Sequence, residues 1–124
     1  MGTVDIDKAR RFLMDKEERK KKILTERLAR ARQDFEGIVA MIVENYHPLR
    51  ICQWGSLVGE RHFSTLSDID IAVEGIATAE EFFRMYGDAM RMTDFSLDMV
   101  RLERIEPEFR QMIESGGRIV YERA

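Results

Sequence analysis

Between Lys16 and Tyr46 the apolar residues Leu24, Leu28, Ala31, Phe35, Ile38, Ile42 and Tyr46 recur at steps of three and four. That spacing draws one stripe along a long helix. Asp15 or an earlier aspartate can cap its start, and His47-Pro48 stops it. A helix of about 30 residues spans about 45 Å at ~1.5 Å per residue, more than a small domain needs. After Pro48 the period changes. Leu49 to Trp54 reads as a short strand broken by Gly55-Ser56, and Ile69, Ile71 and Val73 alternate with Asp68, Asp70 and Ala72, the pattern of a half-buried strand. Thr78 with Glu81 three residues on forms a capping box for a helix whose expected apolar face is Phe82, Phe83, Tyr86 and Met90. Phe95 to Leu102 is a further strand and Pro107 to Glu114 a further helix. Gly116-Gly117 then turns into a last strand, Ile119-Val120-Tyr121. Strands alternating with helices predict an α/β (α+β) domain around one small sheet.

The chain has 124 residues, 44% apolar and 35% charged, enough for one buried core and too short for a second domain. Cys52 is the single cysteine, and with two histidines it makes neither a disulfide nor a structural zinc site. No apolar run reaches the roughly 20 residues that cross a bilayer. Met1 to Ile6 reads as neither a secretion signal nor a myristoylation site, so a reducing cytoplasm is the expected location. Charge is distributed unevenly about its net of −3: residues 1–36 carry 11 Lys/Arg against 8 Asp/Glu, residues 37–124 carry 9 against 15, and every lysine lies at or before Lys22. The acidic part is a poor ligand for nucleic acid, which needs several cationic contacts to phosphate. Phosphate chemistry there must use arginine, backbone amides, hydroxyls or metal.

The chemistry-bearing stretch runs from Gly55-Ser56 to Ser67-Asp68-Ile69-Asp70. Residues two apart on a strand share a face, so Asp68 and Asp70 lie side by side while Ile69, Ile71 and Val73 enter a core. Like charges that close repel unless a cation lies between them. Hard oxygen ligands on a rigid strand suit Mg²⁺. Upstream, Gly55 lets the backbone approach a phosphate, and the Ser56 hydroxyl and nearby amides can donate to it. Asp98 is a lone carboxylate in the apolar strand Phe95-Ser96-Leu97-Asp98-Met99-Val100, a costly position unless it is paired, metal-bound or exposed at a sheet edge. If that strand lies beside the Asp68–Asp70 strand, three carboxylates converge on a two-metal site for in-line displacement at phosphorus. His62 reads as an exposed loop residue, Cys52 as a small strand hydrophobe, and Trp54 as core or pocket wall.

Gly-Ser, a spacer, and then Ser-Asp-hydrophobic-Asp on a strand resembles the signature of the small nucleotidyltransferases of the polymerase-β-like superfamily. More narrowly, residues 23–121 look like a minimal nucleotidyltransferase (MNT), the antitoxin half of HEPN/MNT toxin–antitoxin pairs. The resemblance implies a small mixed sheet flanked by helices and transfer of AMP from ATP to a hydroxyl. It assigns the metals to Asp68, Asp70 and Asp98, with Asp98 also helping to deprotonate the acceptor, and the triphosphate to Gly55, Ser56 and Ser67. The spacer from Ser56 to Asp68 has eleven residues, where the antitoxin pattern usually has ten. Gly59 stands where many relatives carry an arginine, and Arg61 is the candidate replacement.

The expectation is therefore a nucleotidyltransferase domain over residues 23–124 that uses Mg²⁺ and ATP, with a charged helical extension over residues 1–22. The expected acceptor is a side chain on a HEPN-domain protein. The rivals are a non-catalytic nucleotide-binding antitoxin and a small-molecule transferase of the aminoglycoside type. Membrane and nucleic acid are not expected partners. In the long helix, Phe35, Ile38, Val39, Ile42, Val43 and Tyr46 should pack on the sheet. The half with Lys20, Lys21, Lys22, Arg27, Arg30 and Arg32 should project or meet another chain, either a second copy or the HEPN partner.

Overall fold

The computed structural model describes residues 5–55 and 69–124. Among them the order of elements is α1 (Ile6–Tyr46), β1 (Arg50–Trp54), β2 (Ile69–Glu74), α2 (Ala79–Met90), β3 (Leu97–Arg101), α3 (Pro107–Gly116) and β4 (Arg118–Glu122). The four strands form one mixed sheet in the order β3-β2-β1-β4. β1 runs antiparallel to both β2 and β4, whereas β2 and β3 are parallel. The fold is therefore α+β, with β1 and β2 in the middle.

Alternation along the strands sends side chains into two cores. Ile51, Ile69, Ile71, Val73 and Met99 pack under α1 and α2 with Phe35, Ile38 and Ile42. On the other face Cys52, Ala72, Leu102 and Ile113 form a smaller core beneath α3, with Trp54, Val100 and Phe109 at its margin. The whole of β2 from Ile69 to Val73 is buried, not half-buried as its alternation predicts, since it is a central strand and both its faces are covered.

Helix α1 is longer than its core stripe. It runs for 41 residues, about 60 Å. Its cap is Asp5, whose carboxylate accepts from the Lys8 N–H at 3.0 Å, and it ends at His47 in the left-handed region before Pro48. Every residue from Asp5 to Glu26 is exposed, and burial begins only at Arg27 and Leu28. Near its C-terminal end the Tyr46 hydroxyl donates to Asp88 of α2, and the Thr93 hydroxyl donates to Asp34 at 2.7 Å.

Two further expectations need correction. The buried face of α2 is Phe82, Met85 and Ala89, whereas Phe83 and Met90 are 67% and 58% exposed. Helical geometry explains this: Phe83 and Met90 stand roughly 80–100° around the axis from Phe82. The Thr78 cap itself is present, accepting from the Glu81 N–H at 3.1 Å. Strand β3 starts at Leu97 rather than Phe95, because the Phe95 N–H turns to the Thr93 hydroxyl at 3.1 Å instead of entering the ladder.

An ion-pair network locks α3 to one end of the sheet. Arg110 bridges Glu74 at 2.6 Å and Glu114 at 2.8 Å, and Arg50 reaches Glu74 at 3.4 Å and Glu114 at 3.2 Å. Hydrogen bonding from Arg110, then from Arg50, holds the Glu114 carboxyl below the usual carboxylate range. A depressed carboxyl pKa contributes stability that is fully present above the unfolded value of about 4.3 and lost as pH falls through the folded value. Arg110→Met should therefore lower the melting temperature at pH 7 measurably, by an amount limited by solvent screening of a partly exposed network. The deficit should shrink in strong acid, where wild type has lost the same contribution. Thermal melts across pH check this, and a deficit that stays constant into strong acid contradicts it.

Candidate functional site

The sheet register brings the described chemistry-bearing residues into one row. Asp70 of β2 is the in-register partner of Asp98 on β3 and of Trp54 on β1. Strands in a sheet lie about 4.8 Å apart and in-register parallel residues point the same way. The Asp70 and Asp98 side chains therefore start from neighbouring strands on one face. That face is the α3 side, since Ala72 and Val100, two residues further along each strand, join the core beneath α3. The sheet order leaves β3 at an edge, so Asp98 is exposed, while Asp70 is buried at 9%. Desolvation, the reason Asp98 stood out in the sequence, thus does not act on it. What singles it out in the fold is its register opposite Asp70.

Gly55 closes the row at the end of β1. Its φ is +79°, a left-handed conformation that glycine adopts freely, and a Cβ placed there would lie 2.0 Å from Oδ2 of Asp70. The chain leaving β1 thus runs directly against the Asp70 carboxylate. Trp54, one residue earlier, packs edge-to-face on Phe109 of α3 with ring centroids 5.2 Å apart. Its indole Nε1 is buried with no hydrogen-bond partner among the described residues.

Ser56, Arg61, His62, Ser67 and Asp68 lie outside the described residues. Among the described residues no group of three His, Cys, Asp or Glu side chains could hold a metal ion. The donor set that is described, two carboxylates on adjacent strands, consists of hard oxygens of the kind that suit Mg²⁺. Cys52 is buried, and that burial pushes its thiol pKa up, as expected of a core residue rather than a nucleophile. Gln53 was not marked in the sequence. It is 2% exposed on the α1 face, its Oε1 has no partner among the described residues, and it borders a cavity of about 430 Å³ between α1 and β4. Its only sequence signal is a polar residue at an inward strand position.

Contact between Gly55 and Asp70 generates a test. Gly55→Ala should destabilise by about 1–3 kcal/mol through backbone strain and overlap with the carboxylate. In an Asp70→Ala background the overlap is relieved, so the same substitution should cost less. Urea unfolding of the four chains in a double-mutant cycle measures the difference. Equal costs in the two backgrounds mean that the carboxylate and the glycine are not in contact.

No family model and no curated protein matches the sequence. Solved structures do match. A toxin–antitoxin complex solved with AMP-PNP aligns with a TM-score of 0.60 at 20% identity over 71% of this chain and 73% of its own. A MntA–HpeT toxin–antitoxin variant with two aspartate-to-glutamate substitutions two residues apart aligns with a TM-score of 0.60 at 18% identity, covering 72% and 73%. The tri-AMPylated HEPN toxin of Shewanella oneidensis in complex with its MNT antitoxin gives 0.59 at 18% identity, covering 75% and 73%. This chain has the α+β fold of the MNT antitoxin structures.

Proposed function

We propose that this chain is an MNT-type antitoxin that transfers AMP from ATP to a hydroxyl on a HEPN-domain partner, with Mg²⁺ and in the cytoplasm. The observation that carries the reading is the register of Asp70 and Asp98 on adjacent parallel strands, in a fold shared with MNT antitoxin structures. Among the relatives, one complex was solved with AMP-PNP and another contains an AMPylated HEPN toxin. The aspartate pair exchanged in the MntA–HpeT variant has the same two-residue spacing as Asp68 and Asp70. No described helix is long and apolar enough to cross a membrane.

In this reading Asp68, Asp70 and Asp98 hold the metal, which when bound offsets the charge of the triphosphate and of the departing pyrophosphate. Gly55, Ser56, Ser67 and Arg61 hold the triphosphate. Asp98, open at the sheet edge, faces the incoming acceptor and takes its proton. The acceptor oxygen forms a bond to the α-phosphorus as the bond to the bridging oxygen breaks, and pyrophosphate leaves. Gly55 lies against one oxygen of Asp70 and leaves room there for no larger residue.

Purified chain incubated with ATP, Mg²⁺ and a HEPN protein from a neighbouring gene should add the mass of AMP to that protein. Asp70→Asn and Asp98→Asn should each lower the transfer about 100-fold or more while leaving the chain folded, because each removes charge at the reacting centre rather than packing. Intact mass spectrometry reads the outcome. A partner silenced by wild type without any added mass assigns the antitoxin effect to contact alone. Transfer undiminished in both variants places the chemistry elsewhere.

A further inference from the structure

The exposed half of α1 continues the azimuth of its buried half. Leu28, Ala31, Phe35, Ile38 and Ile42 form the face turned to the core, and at ~100° per residue Ile6, Leu13 and Leu24 fall on the same side of the helix. Those three are 66%, 58% and 39% exposed. Ile6, Leu13 and Leu24 thus lie in line with the core stripe along a seam that the domain does not cover, with Glu17 and Lys20 between them, while the exposed Phe12, Met14 and Ile23 lie off it. Most helical stability in a protein comes from packing an apolar face, and the exposed half of α1 packs none within its own domain.

The seam is self-complementary. Its positions are Ala9, Leu13, Glu17, Lys20, Leu24 and Leu28, with steps of four, four, three, four and four. Read backwards the steps are the same, with the point of symmetry between Glu18 and Arg19. When two such helices run antiparallel about that point, Leu13 meets Leu24 of the second copy and Glu17 meets its Lys20, while Ala9 reaches the edge of the domain where Leu28 is packed on its own core. Each contact occurs twice by the two-fold symmetry. Chemistry matches layer by layer: apolar against apolar in the outer layers, opposite charges in the two central ones. A parallel arrangement would set Glu17 against Glu17 and Lys20 against Lys20. Four-four-three steps repeat every eleven residues, close to the natural period of a straight helix, so the seam stays in line without strong supercoiling.

We propose that residues 6–28 of α1 form an antiparallel helix pair with the same segment of a second copy of this chain. The central Glu17–Lys20 pairs set direction and register, as charges at helix–helix seams do. The two domains then lie at opposite ends of the pair. The tip of each arm, with Ile6, reaches the shoulder of the other copy's domain near Leu28.

Light scattering on the purified full chain should give about twice the chain mass of 14.6 kDa. Leu13→Asp should weaken association at least about tenfold. Glu17→Lys and Lys20→Glu should each weaken it as well, and the double exchange Glu17→Lys/Lys20→Glu should restore it. Circular dichroism separates this from fraying: an effect confined to one helix changes helicity and leaves mass unmoved. A wild-type chain that remains monomeric at all concentrations overturns the pairing, including a chain that gains mass only with a HEPN protein. A dimer indifferent to Leu13→Asp and to both single charge changes overturns it equally.

Discussion

The Asp70 carboxylate and the Gly55 backbone occupy space that no side chain could share. With a Cβ at Gly55 only 2.0 Å from Oδ2, the residue that follows β1 and the start of β2 fit together only with glycine at that position and a left-handed φ. This contact sets where β1 ends, opposite Asp70 rather than beyond it, and so puts Trp54 in register with the same carboxylate. β2 holds Asp70 rigidly because its neighbours Ile69 and Ile71 are locked in the core under α1 and α2. β3 then adds Asp98 in parallel register, and α3, tied down at the Arg50–Glu74 end by Arg110, covers the same sheet face as far as Trp54, which packs on Phe109.

Much of this was legible in the sequence because period is a local property. The stripe from Leu24 to Tyr46, the alternation around Asp70, the Thr78 cap and the Pro107 start each depend on nearby residues, and each marks an element of the fold, although the strand around Asp70 is buried on both faces rather than one. What could not be read locally was set by tertiary partners. Phe83 and Met90 are as apolar as Phe82, and only the placement of α2 on the sheet decides that they face solvent. Asp98 drew notice for a supposed desolvation cost, but the strand order puts it on an exposed edge. Strand order is not written in any one segment. The pairing of Asp70 with Asp98 followed from topology, and the resemblance to a family fixed that topology where spacing left it open. The stripe marks α1 only from about Lys16, because its first turns bury nothing; the cap is Asp5, an aspartate earlier than Asp15.

Two functions of one helix follow from its two halves. From Leu28 onward α1 is a core element that supports the sheet from the face opposite the aspartates. Before Leu28 it has the same azimuth of apolar residues with nothing of its own domain beneath them. Association through it would leave the Asp70–Asp98 face free, since that face lies on the other side of the sheet.

The claim on which the account rests is that the Asp70–Asp98 row binds a metal-bound nucleotide. Calorimetric titration of AMP-PNP into the purified chain, with and without Mg²⁺, tests it without requiring an acceptor or a partner. Binding should depend on Mg²⁺ in wild type and be lost in Asp98→Asn, whose exposed side chain leaves the fold untouched. Binding of equal strength without the cation, or in Asp98→Asn, would contradict the assignment of these carboxylates to the site.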